Sequence, residues 1–170
     1  MKHTLCVLAF IVFGFSMNAQ EGFKLGIQGG LPLGDFNDEV SLFVGADVGY
    51  MWALGRLMDF GVTAGFIHGF AETFQGQTVS VDLPNVQFLP LAASIRIWPS
   101  NSFSLGVNAG TALGINDGND GGFYYRPIIG FLLGPQTELN LSYTGIQLDE
   151  RAWNSANLGV IYTFPTGRRR

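Results

Sequence analysis

The sequence predicts an all-β protein: an eight-stranded antiparallel up-and-down transmembrane β-barrel, preceded by a cleaved signal peptide. Three observations carry that prediction. A short apolar segment opens the chain and ends in small residues. From Gly22 onward, apolar and polar residues alternate in eight separate stretches, broken by clusters of Gly, Pro, Asn and Asp. Finally, 47% of the 170 residues are hydrophobic and only 13% are charged, about half the ~25% typical of soluble domains.

The N-terminal segment reads as an export signal. Lys2 and His3 form a polar start, Leu5 through Phe15 an apolar run, and Met17-Asn18-Ala19 a small-residue cleavage site before Gln20. The run is shorter than the ~20 apolar residues of a membrane-spanning helix. Residues 1–19 are therefore expected to be removed, 20–164 to form the barrel, and 165–170 to remain as a short basic tail. Cys6, the single cysteine, lies in the apolar run, so no disulfide or thiol chemistry is expected of the mature chain. No later stretch is apolar enough for a spanning helix. A mature chain that enters the membrane must do so as a closed barrel, the other architecture that satisfies its own backbone hydrogen bonds.

The strands follow in order. Phe23, Leu25 and Ile27 alternate with Lys24, Gly26 and Gln28. Leu42, Val44, Ala46, Val48, Tyr50 and Trp52 are set against Gly45, Asp47 and Gly49. Phe60, Val62, Ala64 and Phe66 oppose Asp59, Gly61, Thr63 and Gly65. In the fourth, Leu89, Leu91, Ala93, Ile95 and Ile97 oppose Ala92, Ser94 and Arg96. Phe103, Leu105, Val107 and Ala109 then face away from Ser104, Gly106, Asn108 and Gly110. Tyr125, Ile129, Phe131 and Leu133 oppose Tyr124, Arg126 and Gly130, and Leu139, Leu141 and Tyr143 oppose Glu138, Asn140, Ser142 and Thr144. Leu158, Val160, Tyr162 and Phe164 close the series against Asn157, Gly159 and Thr163.

Every charge within a strand falls on the face rich in Gly, Ser, Asn and Thr. A soluble ligand-binding barrel turns its apolar face inward, a membrane barrel outward. Here the polar face carries Lys24, Asp47, Asp59, Arg96, Arg126 and Glu138, too few charges for a wall in water. They suit a narrow, polar, packed lumen in which three bases balance three acids. On the apolar face, Phe23, Tyr50, Trp52, Phe60, Phe103, Phe131, Tyr162 and Phe164 gather near one end of the strands. Phe66, Tyr125 and Tyr143 gather near the other. These are the expected aromatic girdles of a membrane barrel.

Connection lengths orient the barrel. The joins at Ala53–Leu57, Pro99–Ser102 and Gly134–Gln136 are short, whereas those at Leu31–Val40, Gly69–Asn85, Gly114–Gly122 and Gln147–Ala152 are mostly longer. Short periplasmic turns and long extracellular loops are the pattern of outer-membrane barrels, with both termini periplasmic.

Over Gly22 to Phe164 the chain resembles the small outer-membrane β-barrel proteins, the OmpA/OmpX-like group. The most specific piece is Leu158-Gly159-Val160-Ile161-Tyr162-Thr163-Phe164. It is similar to the terminal strand read by barrel-assembly machinery, with Leu158, Val160, Tyr162 and Phe164 as its apolar positions. The family usually stops at that aromatic residue, whereas Pro165 to Arg170 follow here. The resemblance implies an integral protein of a Gram-negative outer membrane, surrounded by lipids that include lipopolysaccharide and inserted by the assembly machinery. It carries no expectation of a peptidoglycan-binding domain. The role expected is non-enzymatic, structural or in surface interaction, with no cofactor and with the extracellular partner left open. A small pore is the alternative; a lipid A-modifying barrel enzyme or a soluble ligand-binding barrel comes third.

The remaining candidates have plainer readings. The loop acids Asp35, Asp38, Glu39, Glu72, Asp82, Asp117, Asp120, Asp149 and Glu150 suit a solvated rim. Within Asn116-Asp117-Gly118-Asn119-Asp120-Gly121-Gly122 the alternating ligand spacing of a calcium loop is missing, so turn chemistry is expected and no metal. His68 falls on the outward parity; a hydrolytic site would need it beside Ser80 and Glu72, and no nucleophile motif surrounds them. The Arg168–Arg170 run, in an exported chain of net charge −4, is expected to meet anionic headgroups and no nucleic acid.

Overall fold

Because alternation gives every strand one apolar and one polar face, closing the sheet is the arrangement that separates the two faces completely. The computed structural model describes residues 21–37, 39–71, 73–75, 80–82, 85–116 and 119–166. The signal segment, the Arg168–Arg170 run and the loop acids Asp38, Glu72 and Asp117 lie outside the described residues. The long strands are β1 (Gly22–Leu33), β2 (Val40–Leu54), β3 (Met58–Ala71), β6 (Val86–Ser100), β7 (Phe103–Gly114), β8 (Gly122–Leu132), β9 (Thr137–Gln147) and β10 (Ala152–Pro165). These eight form one closed barrel in the order β1-β10-β9-β8-β7-β6-β3-β2. Every neighbouring pair is antiparallel, including the closing pair, which runs from Gly22↔Pro165 to Leu33↔Asn154.

Between β3 and β6 the chain adds a small hairpin, β4 (Thr73–Gln75) and β5 (Ser80–Asp82), in a stretch that sequence reading treats as plain loop. The barrel strands also run further than the alternation suggests. β1 continues through Leu31 to Leu33, past the Gly29-Gly30 pair that interrupts its pattern, and β10 begins at Ala152. Gly55, in the turn between β2 and β3, takes the left-handed conformation (φ 78°), which L side chains enter only at a cost.

The register determines the barrel's dimensions. Partners followed around the wall from Phe23 pass through Tyr50, Val62, Ala93, Ala109, Tyr125, Gly145 and Asn154, returning to β1 at Leu33, ten residues further along. Eight strands with that stagger tilt by roughly 40° and enclose a backbone cylinder roughly 16 Å across. A lumen of that width is filled by side chains.

Among the described residues, thirty-four large apolar side chains stand exposed, from Phe23, Leu25 and Ile27 on β1 to Leu158, Val160, Tyr162 and Phe164 on β10. They cover the outside of the wall on every strand. An apolar surface that continuous exceeds the few hundred Å² a water-soluble monomer tolerates, and it matches the lipid-facing band of a membrane barrel.

Candidate functional site: the lumen and the long-loop mouth

All six charged residues read from the sequence point inward, and the wall brings them within reach of one another. Arg126 on β8 meets Asp47 on the opposite wall, β2, at 2.8 Å (Nη1 to Oδ2). Arg96 on β6 forms an ion pair with Glu138 on β9, across β7 and β8. In a cylinder this narrow an arginine and a carboxylate from facing walls meet near the axis. The Gln28 amide donates a further hydrogen bond to Asp47 (3.1 Å), and the Ser94 hydroxyl donates to Asn108 (2.6 Å).

Lys24 and Asp59 are joined through a tryptophan. The Lys24 ammonium donates to Thr163 Oγ1 at 3.1 Å and lies 5.9 Å from the centre of the Trp98 ring. The indole N–H of Trp98 donates to Asp59 Oδ2 at 2.7 Å. Lys24, Asp59, Arg96, Arg126 and Glu138 are all buried, and Asp47, at 14% side-chain exposure, is the most open of the six. A cavity of about 20 Å³ lies among Lys24, Asp47, Arg96 and Arg126, room for about one water molecule.

The glycines of the inner face have a steric part in this. A Cβ on Gly130 would overlap the Glu138 carboxylate and the Ser104 hydroxyl. The wall can hold the Glu138 carboxylate there because Gly130 carries no side chain.

The expectation of a polar lumen needs correction. Toward the long-loop end the interior is apolar and aromatic. Trp153 on β10 is fully buried and packs against Phe43 (ring centres 5.9 Å apart) and Phe88 (5.7 Å). Phe36, in the 3-10 turn Gly34–Phe36 between β1 and β2, folds in on Trp153 at 5.3 Å. Ile67, Tyr124 and Ile146 belong to the same cluster, while Trp98 and Met51 are buried toward the short turns. The signal for these residues is parity. Phe88 and Trp98 share the parity of Arg96, and Trp153 that of Asn157 and Thr163. Sorting residues by polarity hides it.

The girdle residues face outward and touch in pairs. At the short-turn end, ring centres lie 6.0 Å apart for Phe23 and Phe164, 5.0 Å for Tyr50 and Trp52, 5.4 Å for Trp52 and Phe60, 5.3 Å for Phe103 and Phe131, and 4.6 Å for Tyr162 and Phe164. The Tyr50 hydroxyl hydrogen-bonds Thr166 at 2.7 Å, and the Tyr162 hydroxyl donates to Gln136. At the other end, Tyr125 meets Tyr143 at 6.2 Å and Phe123 at 6.3 Å. The apolar positions Leu158, Val160, Tyr162 and Phe164 of the last strand all lie on this outer face, exposed. His68 lies on it too, between Phe66 (6.3 Å) and Phe70 (4.6 Å), with Nδ1 hydrogen-bonded to the Gln87 amide at 2.9 Å.

The loops gather at one mouth. Arg151 makes two hydrogen bonds to Glu39 (2.7 and 2.9 Å), and its guanidinium covers the Phe36 ring at 4.2 Å. The Ala152 N–H donates to Asp35 at 3.0 Å, so the first and last of these loops are clasped together. Asn116 accepts from the Gln87 N–H (3.0 Å), and Asn119 donates to the Gln87 carbonyl (3.1 Å) and accepts from the Gly121 N–H (3.2 Å). These asparagines hold a turn.

A closed barrel with an apolar outer belt, an aromatic girdle at each edge and an ion-paired, plugged interior has the fold of a small transmembrane β-barrel. Among solved structures it is similar to Ail, the attachment invasion locus protein of Yersinia pestis. The crystal structure of Ail gives a TM-score of 0.57 at 17% identity, covering 87% of this chain and 100% of that one. Ail in a phospholipid bilayer nanodisc gives 0.56 at 19%, covering 85% and 100%. The N-terminal β-barrel domain of Pseudomonas aeruginosa OprF gives 0.53 at 17%, covering 85% and 98%. At these identities the likeness is one of fold. No family model and no curated protein sequence matches the chain.

Proposed function

We propose that this chain is a non-enzymatic integral protein of a Gram-negative outer membrane that displays its loops at the cell surface, in a structural or surface-interaction role. The observation that carries this is the filled lumen. The Arg126–Asp47 and Arg96–Glu138 pairs and the Trp153 cluster occupy the interior, and the cavity lined by Lys24, Asp47, Arg96 and Arg126 measures about 20 Å³. Solute flux needs a continuous water path, and eight-stranded barrels of this width are packed. In this reading the short turns and both termini face the periplasm, lipopolysaccharide surrounds the loop end, and assembly machinery reads the last strand through Leu158, Val160, Tyr162 and Phe164. His68 supports the non-enzymatic part: its Nδ1 binds an amide on the lipid-facing wall, with rings on both sides.

Ail has also been solved with a heparin analogue, sucrose octasulfate. Here the mouth carries Glu39, Asp120, Asp149 and Glu150 around one arginine, so a polyanion is not the expected ligand. Planar-bilayer recording on purified protein tests the closed lumen. Absence of regular conductance steps is expected, and stable steps would make it a pore. A change in gel mobility on heating after detergent extraction tests barrel and membrane location together, and a mature chain that stayed monodisperse without detergent would refute both.

A further inference from the structure

A groove of about 660 Å³ is cut into the outer wall across β1, β10, β9, β8 and β7, five neighbouring strands of the barrel's eight. It exists because three outward positions there carry little side chain. Gly29 on β1 and Ala156 on β10 lie on adjacent strands, and Pro127 on β8 has only its short ring. Leu31, Leu33, Leu158, Leu141, Ile129 and Leu105 stand exposed around them. The barrel strands have two glycines of outward parity among the described residues. Gly145 is covered by the Tyr125 ring, whereas a Cβ at Gly29 would meet only the Phe43 carbonyl, at 3.5 Å. The floor of the groove is therefore open to whatever lies against the wall.

We infer that this groove holds one hydrocarbon chain of a membrane lipid from the leaflet at the long-loop end. Its course argues for a chain. Register partners lead from Gly29 through Leu158, Leu141 and Ile129 to Leu105. Because the sheet is staggered, that path descends. It starts by Leu33, the long-loop end of β1, and finishes at Leu105, two residues from the short-turn end of β7. Four strand spacings make it roughly 19 Å long, comparable with the ~15 Å depth of one leaflet in a ~30 Å hydrocarbon layer. Its curvature argues against a second copy of the barrel. The groove follows more than half of a convex wall, and two convex walls touch along a line, whereas a thin, flexible chain can follow the whole path. The upper end suits a headgroup. Asn154, the partner of Leu33, shares the outward parity of Ala156 and Leu158 and sets a polar side chain beside it. Below that level the described lining side chains of outward parity are apolar, apart from the Tyr143 hydroxyl. This inference rests on the membrane reading and names the part of the wall that retains a lipid.

The test is native mass spectrometry of the full barrel, folded into palmitoyl-oleoyl phosphatidylcholine vesicles and then stripped stepwise with a non-ionic detergent. The groove reads the chain, so this phospholipid serves as the probe. One lipid per barrel is expected to survive after the others have left. Gly29→Leu fills the floor without strain, since its Cβ has room. It should lower the retained fraction roughly tenfold, the scale of excluding about two methylenes from apolar contact. Ala46→Leu/Ala64→Leu adds the same bulk to the outer face of β2 and β3, away from the groove, and should leave retention unchanged. Retention equal in wild type and Gly29→Leu, or lost equally in both variants, would overturn the site. So would the absence of any retained lipid from a barrel whose gel mobility still changes on heating, and the membrane reading would then stand. A detergent-resistant dimer abolished by Gly29→Leu would overturn the lipid and assign the groove to a second copy. A chain that forms no heat-modifiable barrel would remove the membrane reading itself and the groove's lipid with it.

Discussion

Arg96 and Glu138 form a buried ion pair across the lumen, from strands separated by two others, with side chains 4% and 1% exposed. Asp59 is the residue directly opposite Arg96 in the sheet register, yet the guanidinium turns to the far wall. Glu138→Gln should destabilise the barrel by about 3–5 kcal/mol, because it leaves a buried guanidinium facing a neutral amide. The double substitution Arg96→Met/Glu138→Gln should cost clearly less than the sum of the two single ones. Urea unfolding in detergent micelles measures this, and strict additivity would show that the pair does not act as a unit.

Gly130 makes that pair sterically possible. A methyl group there would overlap both the Glu138 carboxylate and the Ser104 hydroxyl. Gly130→Ala is expected to lower stability by about 1–3 kcal/mol, as overpacking does in a filled interior. In a Glu138→Ala background the same substitution should cost much less. Equal costs in both backgrounds would place the clash elsewhere.

Trp153 closes the other half of the lumen. Its ring contacts Phe36, Phe43 and Phe88 together, so Trp153→Ala should remove about 3–5 kcal/mol and open a cavity beneath the mouth. Small-ion leak through the bilayer-reconstituted variant should rise above that of the unsubstituted protein. A leak unchanged by the loss of the indole would mean the charged layer alone seals the barrel.

The outer belt gives a depth-dependent prediction. Val107 is exposed on β7, in register with Ile95 and Pro127, between the girdle pair Phe103–Phe131 and the loops. Val107→Arg places a cation in the hydrocarbon layer and should cost about 2–4 kcal/mol of folding into lipid vesicles. Leu57→Arg, in the turn between β2 and β3, should cost about 0–1 kcal/mol by the same assay. Equal effects at the two positions would be incompatible with the membrane belt described here.

Much of this architecture was legible in the order of residues. Alternation such as Leu89, Leu91, Ala93, Ile95 and Ile97 against Ala92, Ser94 and Arg96 is a local property of a strand, because successive side chains point to opposite faces. The inward placement of Lys24, Asp47, Asp59, Arg96, Arg126 and Glu138 follows from parity alone. Parity also places Phe88, Trp98 and Trp153 inside, but a reading that sorts residues by polarity assigns large rings to the lipid face.

The sequence by itself determined the period, the number of barrel strands and which way each wall residue points, since these are set by neighbours one or two positions away and by the turn residues between them. Only the tertiary structure decided what meets inside. The ten-residue stagger of the closed sheet brings Arg126 to Asp47 and Arg96 to Glu138, and it lets a turn as distant as Gly34–Phe36 drop Phe36 onto Trp153. Those contacts depend on strand tilt and register summed over eight pairings, a property of the closed ring that no single strand encodes.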